Sequence, residues 1–133
     1  MKHVIQTLVL AAVAAPALAD VPMTAEQFER YTVGRTYFYG HPGAPPYGIE
    51  AYLPNRQVIW AYFSDECVEG YWYENAQAEI CFVYPFDDEH KCWLFYKEGD
   101  SLRGDFVTDT AEVDYSVTQT AQSLPCQAPF LGA

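Results

Sequence analysis

The sequence is poor in positive charge. Seven Lys and Arg stand against eighteen Asp and Glu, a formal net charge of −11. A chain of that sign repels nucleic acid and anionic membrane surfaces, so neither nucleic-acid binding nor membrane insertion is expected. Acidity alone identifies no partner, because it also serves solubility. Histidine is scarce too. Beyond the N-terminal segment there are two, His41 in a Pro/Gly loop and His90 in an acidic turn. Neither belongs to a Ser/His/Asp or Cys/His arrangement. No G-x-G-x-x-G, P-loop, G-x-S-x-G or H-E-x-x-H occurs. Carboxylates are too many for one glycosidase-like pair to stand out. No catalytic residue is nominated and no cofactor is expected.

The cysteines lack two spacings. None forms C-x-x-C, so thioredoxin-like exchange has no support, and none forms the close pairs that zinc prefers. Long apolar runs are missing except at the start, where "MKHVIQTLVLAAVAAPALAD" has a basic beginning, an apolar centre and an Ala17-Leu18-Ala19 ending. That is the pattern of a cleavable secretory leader over residues 1–19, too short for a membrane-spanning helix. Position 20 is Asp rather than Cys, so a lipid anchor is not supported. Loss of Lys2 takes the charge to −12 and leaves residues 20–133 as one domain, periplasmic or secreted.

What is present follows from that compartment. Four cysteines, Cys67, Cys81, Cys92 and Cys126, read as two disulfides under oxidising conditions. "TAEQFERYTVG" predicts a helix capped by Thr24 with Gln27 three residues on, stopped near Gly34. Ala25, Phe28 and Tyr31 share a face. Strands are predicted at Arg35–Tyr39, Ile49–Leu53, Gln57–Phe63, Glu69–Glu74, Glu79–Tyr84, Cys92–Lys97, Leu102–Val107 and Val113–Thr118. Their spacing of about ten residues, broken by "HPGAPPYG", "LPNR", "YENAQA" and "KEGDS", indicates a mainly β (α+β) fold. It reads as a curved antiparallel meander or small barrel with one N-terminal helix, followed by an irregular C-terminal tail. "QVIWAYF" and "ICFVY" are apolar on both faces, so both faces must be covered, by the helix or by the sheet curling on itself.

"ICFVYPFDDEHKCW" reads as a hairpin. Cys81 and Cys92 can face each other across it. Four cysteines permit three pairings, and the local one, Cys81–Cys92 with Cys67–Cys126, is preferred. Asp87, Asp88, Glu89 and His90 lack the spacing of a calcium loop, so the turn reads as solvated and no metal is expected.

The helix-Gly-x-Thr opening (Gly34, Thr36), Gly70-Tyr71-Trp72, Cys81 and Cys92-Trp93 together resemble a family of small exported proteobacterial proteins built on a domain of unknown function. The resemblance runs from about Met23 to Asp100. It implies an antiparallel sheet with the two central cysteines bridged, and brings no catalytic residue.

Twenty-two aromatic residues, half of them Tyr, remain to be placed. A non-catalytic binding or interaction module of the bacterial envelope is the leading expectation. Trp60, Tyr62, Trp72, Tyr73, Trp93 and Phe95 are the candidate rings for a small apolar ligand. One alternative is an acidic inhibitor of a cationic envelope hydrolase, a basic protein partner drawn by charge. The other is a small hydrolase or isomerase, which would need a buried carboxylate or histidine in a cleft.

Overall fold

A computed structural model describes residues 11–14, 20–63, 66–107 and 114–126. The predicted leader, apart from residues 11–14, lies outside them, as do Val113 and the tail beyond residue 126. Helix α1 spans Ala25–Thr32. Eight strands follow: β1 Thr36–Gly40, β2 Gly48–Tyr52, β3 Gln57–Tyr62, β4 Val68–Glu74, β5 Ile80–Val83, β6 Lys91–Glu98, β7 Ser101–Phe106 and β8 Asp114–Thr120. Each pairs antiparallel with the next, and β8 returns to β1, giving a closed up-and-down barrel. No helix among the described residues is long and apolar enough to cross a membrane.

Closure explains the strands that are apolar on both faces. Alternate residues point inward. On β3 these are Val58, Trp60 and Tyr62, and on β5 Ile80 and Phe82. The opposite face of β2 and β3 carries Ile49, Ala51, Ile59 and Ala61. It is covered from outside by Leu124 and the Cys67–Cys126 pair. The second layer over this part of the sheet is therefore the start of the C-terminal tail, and not the helix.

Helix α1 instead closes one end of the barrel. Its start is fixed by a reciprocal cap. The Thr24 hydroxyl accepts from the Gln27 N–H at 3.1 Å, and the Gln27 side chain accepts from the Thr24 N–H at 2.9 Å. Ala25, Phe28 and Thr32 form the buried face, while Tyr31 lies half-buried beside it. Phe28 is 0 % exposed and stacks on Phe95 at 4.4 Å. It meets Trp72 and Tyr52 edge-on at 5.2 and 5.6 Å. Burial of such a ring contributes about 1.5–3 kcal/mol, and each good aromatic pair about 0.5–1.5 kcal/mol more. After the helix, Gly34 takes φ +75°, a left-handed turn that suits glycine, and its N–H donates to the Tyr52 carbonyl at 2.8 Å.

Both disulfides are formed. Cys81 and Cys92 stand directly opposite in the β5–β6 ladder, and Cys67–Cys126 ties the tail to the approach to β4. Two such bridges point to an oxidising, non-cytoplasmic location.

Candidate functional site

Among the described residues, the end of the barrel opposite α1 is not filled. A cavity of about 360 Å³ opens there among the inward residues. Its wall is built by strand register. Glu50 on β2 lies between Tyr37 on β1 and Trp60 on β3. Ile80, Trp93 and Phe106 sit across from one another on β5, β6 and β7. The aromatic lining is continuous. Tyr39 meets Trp60 edge-on at 5.5 Å, Trp60 meets Tyr62 at 5.2 Å, and Trp93 meets Tyr115 at 5.0 Å. Tyr47 bridges the two sides, 6.0 Å from Trp60 and 6.1 Å from Tyr115. Tyr62 and Phe86, 43 % and 56 % exposed, mark the mouth.

Two glycines make this lining possible. A side chain at Gly48 would overlap the Trp60 indole, so glycine leaves the ring room to lie against β2. A Cβ at Gly70 would stand 2.6 Å from the Tyr84 ring, and glycine there lets Tyr84 cross β4. Tyr84 thereby reaches Glu50, its hydroxyl donating at 3.1 and 3.0 Å to the two carboxyl oxygens.

Glu50 is the unusual group. It is 2 % exposed, yet it borders the cavity. Burial raises its pKa to about 8, and the Tyr84 hydrogen bond only partly opposes this. At neutral pH it therefore carries a proton. Burial likewise raises the surrounding phenols. Tyr39 and Tyr52 share a hydroxyl–hydroxyl contact of 2.5 Å beneath the cavity, and both are pushed well above the usual phenol range, as is Tyr84. Tyr47 is raised as well.

At the rim, Lys91 is held by Asp87 at 3.0 Å and Glu89 at 3.7 Å. The Asp87 carboxyl lies below its usual range, first because it accepts the Glu89 N–H and then because of Lys91. The acidic turn is thus organised around a lysine. Among the described residues no group of three His, Cys, Asp or Glu is placed to hold a metal ion.

The structure separates the six rings singled out from sequence. Trp60, Tyr62 and Trp93 line the cavity. Trp72 and Phe95 lie at the helix end, packed on Phe28. Tyr73 is on the outer face, its hydroxyl 2.6 Å from His90 Nδ1. His90 is exposed there, and His41 is exposed at the mouth, 4.8 Å from the Tyr115 ring. Sequence reasoning missed Glu50, Tyr39, Tyr47, Tyr84 and Tyr115. For Glu50 a signal existed: "GIEAY" places a lone acid on the same strand face as Tyr52, in a segment buried throughout. Comparison of the chain with protein-family models, curated proteins and solved structures finds no match.

Proposed function

We propose that this protein is an exported ligand-binding barrel, periplasmic or secreted, that takes a small molecule with an apolar or aromatic body into its open end. One observation carries the reading: a closed barrel, plugged at one end by α1, keeps an aromatic cavity of about 360 Å³ at the other. Ligand sites of small proteins are concave, mostly apolar, and carry a few placed polar groups, with volumes of about 300–1,000 Å³. Barrels of eight strands have interiors that either fill with side chains or hold one small ligand. Two disulfides and a closed sheet supply the rigidity that keeps such a cavity open.

The test uses the barrel's own indoles. Trp60 and Trp93 border the cavity, so titration with N-phenyl-1-naphthylamine and with indole should perturb tryptophan emission saturably. Trp60→Ala should weaken both probes. Absence of saturable binding of either probe, with the disulfides intact, would remove the reading.

A second reading is favoured by Glu50 alone. A carboxyl with a pKa of about 8 in a cleft suits proton transfer near neutral pH. Under this reading the protein is a small hydrolase or isomerase with Glu50 as general acid or base. It predicts turnover of a bound molecule that Glu50→Gln abolishes, whereas a binding barrel returns its ligand unchanged.

A further inference from the structure

We propose that the cavity selects a small organic amine, its ammonium group seated on the Glu50 carboxylate and its apolar body held among the Tyr39, Tyr47, Trp60 and Trp93 rings. This rests on the ligand-binding reading above and names the ligand's chemistry.

Three observations carry it. The first is the state of the carboxyl. Its two oxygens share one donor among the described residues, the Tyr84 hydroxyl. A carboxylate has acceptor sites for about four hydrogen bonds, so it has capacity for the N–H donors of an amine. The second is the lining. Ring faces attract cations within about 6 Å of the centroid, more strongly when water is excluded. Here the Tyr39, Tyr47, Trp60 and Trp93 rings line the same cavity as the buried acid. The third is the charge balance. Lys91 is the one lysine or arginine bordering the cavity among the described residues, and Asp87 and Glu89 hold it at the rim. An anionic ligand would find no unpaired lysine or arginine among the described lining residues to receive it. A neutral apolar ligand would leave the acid's acceptors unused.

Binding an ammonium requires the carboxyl to give up its proton, so affinity depends on pH. The groups facing Glu50 are known. Tyr37 and Tyr39 come from β1, Tyr52 from β2, Tyr62 from β3 and Tyr84 from the end of β5. Tyr47 and Tyr115 close the cavity from the β1–β2 loop and β8, while His41, Asp87 and Lys91 stand at the mouth. Tyr39, Tyr47, Tyr52 and Tyr84 all have raised pKa values and stay protonated through pH 9. Asp87 and Lys91 keep their charges. An alkyl ammonium, lysine-like with a pKa near ~10, keeps its own.

The experiment is calorimetric titration of the intact, oxidised chain with 2-phenylethylamine and with its neutral counterpart 2-phenylethanol, from pH 6.5 to 9. At pH 9 the amine should bind at least about tenfold tighter than the alcohol. Below pH 8 its affinity should fall about tenfold per pH unit, with close to one proton released per amine bound at pH 7. Buffers of different ionisation enthalpy read that proton directly. The alcohol should show neither effect. Glu50→Gln should bring the amine to the alcohol's affinity, and His41→Gln should leave the pH slope in place. Should Glu50→Gln not fold, proton release by the unaltered chain decides the matter. Equal affinity of amine and alcohol at pH 9, or amine binding that is flat with pH and releases no proton, overturns the inference and leaves the binding barrel standing. Binding of neither compound counts against both.

Discussion

Glu50→Gln should change how the stability of this barrel responds to pH. In the folded chain the carboxyl keeps its proton up to about pH 8, because burial opposes its charge. In the unfolded chain it loses that proton near pH ~4.3. Between those values the unfolded state binds fewer protons than the folded one, so stability falls as pH rises. The contribution is fully present below the unfolded value and is lost as pH climbs through about 8, beyond which it is flat. Each pH unit in the window is worth about 1.4 kcal/mol. From pH 5 to pH 8 the unaltered chain should therefore lose about 4 kcal/mol relative to Glu50→Gln, a large share of the ~5–15 kcal/mol typical of a domain. Glutamine matches glutamate in shape and keeps an acceptor for the Tyr84 hydroxyl, so the two proteins should otherwise melt alike. Urea unfolding of both, disulfides intact, at half-unit steps from pH 5 to 9 measures the difference. A stability difference that is the same at pH 5 and pH 8, or one that changes in the opposite direction, would refute the argument that Glu50 is buried neutral.

Other perturbations follow from the same packing. Phe28→Ala should cost about 3–5 kcal/mol by emptying the helix end, and calorimetric melting would read it as a lower Tm. Gly48→Ala should push the Trp60 ring toward the cavity. The expected result is a shifted tryptophan emission, weaker probe binding, and a stability loss of about 1–3 kcal/mol from overpacking. Loss of the Cys67–Cys126 bridge, by serine at both positions, removes a cross-link of 59 residues' separation. On the chain-entropy model that should cost about 4 kcal/mol, against about 3 kcal/mol for Cys81–Cys92 at separation 11. Urea midpoints of the two double variants test the ordering.

Much of the architecture could be read from the chain itself, for local reasons. Val, Ile, Tyr, Phe and Trp between Pro/Gly and Asn/Asp turns mark each strand within a residue or two, and Thr24 with Gln27 marks the helix start. The bridge between Cys81 and Cys92 follows from their places in one hairpin. The non-local features were not legible. Whether β1 meets β8 depends on strand tilt and register summed around the sheet, which no short segment records. Because "QVIWAYF" is apolar on both faces, periodicity does not say which face turns inward and cannot sort the six candidate rings. They fall in three places: the cavity, the helix end and the outer surface. Glu50 is inconspicuous in the sequence for a related reason. Its meaning comes from Tyr84, thirty-four residues away, and from Gly70, which lets that ring lie across β4.

Closing the sheet through β1 and β8 leaves no open edge among the eight described strands for a neighbouring chain to extend. That seam joins the two most distant strands in the sequence, and it bears a high cost in chain entropy. Until it zips, the β-ribbon exposes two unpaired margins, which are templates for fibre growth. The covalent tether just past β8 shortens the excursion its last strand must make. Under oxidising conditions the bridge therefore restrains the closing of the seam as well as the finished fold.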